Sequence, residues 1–293
     1  MYPGSRSIAL SASGDLILVG GTDGVAGVFS NSQRRMIQTL KGGSGSVTDG
    51  LWAGDRPIIA TSSGAVKVFD NGSETGSFIS HAGEATALAL HPSGDILASV
   101  GVDKSYVFYD LTSSTPATQV YTNSGMSSSE SLCKFTTDGR VVLTAAGFHP
   151  DGHLFAAGGA NGQIKVFDVK SGENAANFDL AGPLQCLAFS ENGTWLAAVT
   201  KGDVSISIWD LRKAAQVKTL EIGSEINNIR WDYTGQFLLA AGPSGLAVEQ
   251  YSKATKEWSE PMRSAAAAIN VQWGPKARSI ISLGLDGSLT EFS

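Results

Sequence analysis

The sequence predicts an all-β protein, a seven-bladed β-propeller, on three observations. A unit of about forty residues recurs along the chain. The second segment of each unit is almost continuously apolar. Turns of Gly, Asn and Asp separate the short strands, and no long helical pattern interrupts them.

The repeat is clearest at the end of each unit's third strand, where an aromatic residue recurs. The blades are read as ending near Phe29, Phe69, Tyr109, Phe167, Trp209, Tyr251 and Phe292. The steps between these residues are 40, 40, 58, 42, 42 and 41. A four-stranded propeller blade has a period of about 40–45 residues. The first turn keeps the same rhythm, as Ser13-Gly14-Asp15, Gly54-Asp55, Ser93-Gly94-Asp95, Asp151-Gly152, Asn192-Gly193 and Thr234-Gly235. The seventh unit departs, with Pro275-Lys276-Ala277-Arg278 in that place.

After each turn comes an apolar run such as Leu16-Ile17-Leu18-Val19, Ile96-Leu97-Ala98, Trp195-Leu196-Ala197-Ala198 or Phe237-Leu238-Leu239-Ala240. A run of that length without polar alternation marks a strand buried on both faces. Blades sandwiched between neighbours require this, and radial repetition leaves only short strand edges exposed. The whole chain, 1–293, is therefore read as one domain. The segment Ser5–Leu10 is expected to close the ring beside the strand ending at Phe292.

The 58-residue step marks an irregular fourth unit. Its excess, about 120–147, opens with a Ser-rich stretch and continues through an Asp138-Gly139 turn. It lacks an aromatic-ended strand of its own. It is read as an inserted loop or hairpin at the periphery rather than as an eighth blade.

Composition limits the function classes. The formal charge is −6, so no basic field covers the molecule and direct binding to nucleic acid is not expected. Arg34-Arg35 and Arg212-Lys213 read as solvated turn residues. Two cysteines, Cys133 and Cys186, form no Cys-x-x-Cys pair and imply no disulfide framework. No signal peptide or membrane-spanning apolar run is read. The four histidines offer no metal site. His149 and His153 are four apart, but Pro150 and Gly152 rule out the helix that such a pair needs. Gly20-Gly21 and Gly158-Gly159 fall at strand ends rather than before helices, so no phosphate cradle is expected. No Ser-His-carboxylate arrangement stands out, and Cys133 reads as an ordinary thiol. No cofactor, catalytic residue or metal is expected.

The aromatic-Asp endings, most plainly Ile208-Trp209-Asp210-Leu211-Arg212, resemble those of the WD-repeat family. The resemblance implies a polar network within a blade. A His before the inner strand would meet an Asp in the turn before the third strand, a Ser or Thr on the second strand, and the aromatic. The third unit has His81, Ser99, Asp103 and Tyr109 for these places. Other units keep fragments: Asp203 with Trp209 and Asp210, and Asp286 in the seventh. Where the network is missing, apolar packing must hold the blade.

Residues 148–213 further resemble the C-terminal propellers of splicing-associated U-box ubiquitin ligases. The matching pieces are Phe148-His149-Pro150-Asp151-Gly152, Gln163-Ile164-Lys165-Val166-Phe167-Asp168 and Phe189-Ser190-Glu191-Asn192-Gly193. The resemblance implies a nuclear scaffold that binds components of the nineteen complex and ubiquitinated substrates in spliceosome activation, with a further role in DNA-damage signalling. The U-box that recruits the conjugating enzyme, and the coiled coil that makes a tetramer, would lie in segments absent from this chain. The chain itself is read as a non-enzyme.

Two other readings stand beside it. Trp209-Asp210-x-Arg212 also resembles a signature of cullin-ligase receptors, in which Arg212 would contact the adaptor. A propeller enzyme with a site at the channel mouth is the third. Because the apolar strands must face neighbouring blades, protein partners are expected on the rims. By turn position the candidate contacts are Asp103, Lys104, Tyr106, Lys201, Arg212 and Lys213.

Overall fold

The computed structural model describes residues 5–112, 118–122 and 143–293. Seven antiparallel sheets stand around a central channel, six of four strands and one of three, and each runs from inside to outside in chain order. The innermost strands are Ser7–Leu10, Val47–Ala53, Ala85–Leu90, Leu143–Phe148, Leu184–Phe189, Asn228–Trp231 and Asn270–Trp273. Each touches the next, and the first touches the last, so the ring is closed. The only helical element described is a 3-10 turn at Pro275–Ala277.

The second strands carry the core. Ile58, Ile59 and Ala60 are fully buried, as are Leu196, Ala197, Ala198 and Val199. The outer strands of blades one, four and five are polar, and each sends one large apolar residue inward: Leu40, Phe178 and Leu220 respectively. Between the third and outer strands the register shifts at the aromatic landmark itself, at Val28/Phe29, Val68/Phe69, Phe108/Tyr109, Val166/Phe167 and Ile208/Trp209. A bulge there bends the strand and re-aims its side chain, which is why the aromatic recurs at a fixed place.

Blades also hook together at their first turns. His91 Nε2 donates to the carbonyl of Gly152 (3.0 Å), His149 Nε2 to that of Gly193 (3.1 Å), and Asn192 Nδ2 to that of Gly235 (2.9 Å). Each accepting glycine has a positive φ, and the hook side chain occupies the space that a Cβ would need. At the closure Pro275 packs against Gly14 in the same way.

Two expectations are corrected. Ser7–Leu10 does not lie beside the strand ending at Phe292; it pairs with Leu16–Gly20 as the innermost strand of blade one. Ile8 is buried with Ile17, Val19, Ile281 and Leu283, and an outer edge would leave it half in water. Among the described residues, blade seven therefore has three strands. The closure is made by that apolar cluster, by Gln272 Nε2 donating to the Ile8 carbonyl (3.1 Å), and by an Arg34–Glu291 ion pair.

The second correction concerns the stretch 120–147, read as an inserted loop or hairpin: both of its ends belong to strands of the ring. Thr118–Thr122 pairs with Tyr106–Asp110 as the outer strand of blade three. Leu143–Phe148 is the inner strand of blade four, where neighbouring inner strands flank it. The part between, 123–142, lies outside the described residues.

Candidate interaction surfaces

Blade three brings His81, Ser99, Asp103 and Tyr109 together. Asp103 Oδ1 accepts from His81 Nδ1 (3.0 Å) and from the Ser105 hydroxyl (2.7 Å), while Oδ2 accepts from the Ala82 backbone N–H (2.8 Å). A carboxylate only accepts, so the His81 proton sits on Nδ1. In the neutral ring Nε2 then accepts from Ser99 Oγ (2.7 Å), and Ser99 accepts from Tyr109 OH (2.8 Å). The relay is buried: His81 is 3% exposed, and Ser99 and Tyr109 are fully enclosed. Burial pushes the Tyr109 phenol up to about 12. Burial also acts to raise the Asp103 carboxyl, but the bonds from Ser105, Ala82 and His81 outweigh it and leave the group below its ordinary value. The network joins the entry to the inner strand with the second and third strands, a structural role.

Blade five carries no such relay. Trp209 is buried against Phe178, with ring centroids 5.6 Å apart. Asp203 Oδ1 accepts only from the next backbone N–H, Val204 (2.7 Å). Asp210 Oδ1 accepts from the N–H groups of Arg212 and Lys213, closing their turn. Asp286 does the same for Ser288.

The candidate contacts do not form one patch. Asp103, Lys104 and Lys201 lie in turns between second and third strands, at one end of the blades. Arg212 and Lys213 lie between third and fourth strands, at the opposite end. Lys201, Arg212 and Lys213 are exposed and Lys104 is half-buried. Asp103 spends both oxygens inside the blade. Tyr106 is a correction: it is fully buried beside Phe108 and Phe155, because the first residue of the third strand points into the core, and it offers no surface to a partner.

The central channel holds residues that sequence reasoning missed. A cavity of about 630 Å³ opens on the face that carries Lys104 and Lys201. Four inner strands bulge at their second residue, which leaves Thr48, Thr86, Thr144 and Gln185 out of register. Freed from the pleat, these side chains line the channel. Thr144 and Gln185 donate across to the backbone of the next blade, at Leu184 and Asn227. Asp49 accepts from the N–H groups of Gly50 and Leu88, both at 2.8 Å, and burial raises its carboxyl. Across the channel, burial lowers Arg230, and it pushes the Cys186 thiol up to about 12. A sequence signal existed: Asp49 and Arg230 are charges inside short inner-strand segments.

Residues 72–110 match the family described as WD domain, G-beta repeat, and residues 128–192 match the anaphase-promoting complex subunit 4 WD40 domain. The chain is a WD-repeat β-propeller. Its fold is similar to a chain in a crystal structure of the mitotic checkpoint complex, with a TM-score of 0.81 over 99% of this propeller and 86% of that chain, at 16% identity. In sequence the propeller is similar to pre-mRNA-processing factor 19 homolog 2 of Arabidopsis thaliana, 30% identical over 99% of this chain and 54% of that protein. Pre-mRNA-processing factor 19 of Oryza sativa is 29% identical over 99% and 55%, and that of Bos taurus 32% over 94% and 53%. The propeller thus spans about half the length of the relatives it matches.

Proposed function

We propose that this propeller is the partner-binding domain of a splicing-associated ubiquitin ligase. It acts in the nucleus as a scaffold in spliceosome activation, with a further role in DNA-damage signalling, and the ligase chemistry resides outside the chain. The observation that carries the reading is the similarity to pre-mRNA-processing factor 19 proteins along 99% of the chain. The burial of the strands supports recognition by the rims, where Lys104, Lys201, Arg212 and Lys213 are the proposed contacts. A few such positions are enough, because interface energy concentrates in few residues.

Affinity purification with the whole chain as bait tests this. Spliceosomal proteins are expected in the eluate. A cullin adaptor in their place, lost on Arg212→Glu, supports the receptor reading and overturns this one. Charge reversals at Lys104 and Lys201 against those at Arg212 and Lys213 then identify the face used.

A further inference from the structure

We propose that the central channel is a binding site for a small carboxylate that also carries a hydroxyl or ammonium group. Asn228 and Arg230 stand two residues apart on the inner strand of blade six, so both side chains point the same way, into the channel. Ile229 between them points into the core. The Arg230 guanidinium has five N–H donors. One nitrogen, NH1, donates to the carbonyl of Ile229 (3.1 Å), and among the described residues the group makes no ion pair. Asn228 is 9% exposed, and its buried Oδ1 has no hydrogen-bond partner.

Two unmet demands of opposite kind thus share one wall. Arg230 calls for an acceptor, and its planar fork suits a carboxylate better than a single water. Asn228 Oδ1 calls for a donor. Among the described residues the other charged lining groups are Arg6 at the mouth and Asp49 on blade two. The two cations against one anion favour a negative ligand. Asp49 adds a reason for an ammonium in place of a second carboxylate. The volume, about 630 Å³, lies within the range of small-molecule sites. The channel is polar where it meets these groups, so the ligand is small and hydrophilic.

The test is a titration of the whole chain with L-serine, L-lactate and propionate, followed at the side-chain Nε–H resonance of Arg230. Serine and lactate are expected to give a saturable shift. Propionate, which has no donor for Asn228, is expected to bind about tenfold more weakly. Arg230→Met is expected to abolish binding. Because that change could unfold the blade, Asn228→Ala is the second variant, and it is expected to bind lactate no better than the wild type binds propionate. Absence of a saturable shift with both serine and lactate up to about 10 mM overturns the proposal. Lactate binding that survives Asn228→Ala undiminished overturns it as well.

Discussion

Blades three and five share four strands, the same turns and the same ring, yet hold themselves together by different chemistry. In blade three a chain of hydrogen bonds runs from Asp103 through His81 and Ser99 to Tyr109. In blade five the loop before the inner strand is Leu180-Ala181-Gly182-Pro183, Ala198 stands where Ser99 stands, and Trp209 where Tyr109 stands. Leu180, Ala198, Phe178 and Trp209 pack as one apolar cluster. The fold therefore does not depend on the relay. A polar blade is vulnerable where a single partner is removed, since the atom left behind is buried and unpaired. An apolar blade is vulnerable to lost volume.

The largest effect should come from volume. Trp209→Ala is expected to cost about 3–5 kcal/mol, a large share of the stability of a domain, and to show as a lowered denaturation midpoint. An unchanged midpoint with loss of a partner would make Trp209 a contact residue and break the contrast.

Next comes Ser99→Ala, which orphans His81 Nε2 and takes away the Ser99 acceptor of Tyr109 OH, at about 1–3 kcal/mol. The reciprocal Ala198→Ser buries a hydroxyl among apolar neighbours in blade five, and it too should destabilise. If Ser99→Ala is neutral, the relay contributes nothing and the two blades do not differ in kind.

Titration separates them further. The Tyr109 phenol is raised from 10.0 to about 12 in the folded chain. Its contribution is complete below pH 10 and is lost as the pH rises toward 12, because the unfolded chain ionises first. Tyr109→Phe should cost about 1 kcal/mol at neutral pH and flatten that alkaline loss, as read from urea midpoints across the range.

The smallest effect expected is at the acid end. Asp103 is lowered in the folded chain, so the stability it contributes is present above the ordinary carboxylate range and fades as the pH falls through its folded value. Asp103→Asn should reduce the acid slope of stability. An unchanged slope would mean that the carboxyl titrates alike folded and unfolded.

Much of this was legible in the sequence, because a bulge at the aromatic landmark in five of the blades keeps the repeat in register. The places of His81, Ser99, Asp103 and Tyr109 came from the resemblance to WD repeats, laid onto the period of that repeat. Tyr106 did not, since strand side chains alternate and a boundary displaced by one residue exchanges core for surface. Ser7–Leu10 was ambiguous because four apolar-rich residues suit either end of a sheet, and only burial against Ile281 and Leu283 decides. Asp49 was obscured by the bulge at Thr48, which breaks the alternation that a sequence pattern relies on, whereas Arg230 lies on a regular four-residue strand too short to show which face it presents.

The way the ring closes has a mechanical consequence. Among the described residues no backbone ladder crosses between blades seven and one. The joint consists of the Ile8–Ile281–Leu283 cluster, the Gln272–Ile8 bond, the Pro275–Gly14 contact and one surface ion pair. A molecule held at residue 5 and at residue 293 and stretched is loaded first across that joint. The seam should part at low force, and the four-stranded blades beyond it should then yield one at a time, since each must break its own ladders. Force–extension traces would then show a small first event followed by a train of larger ones.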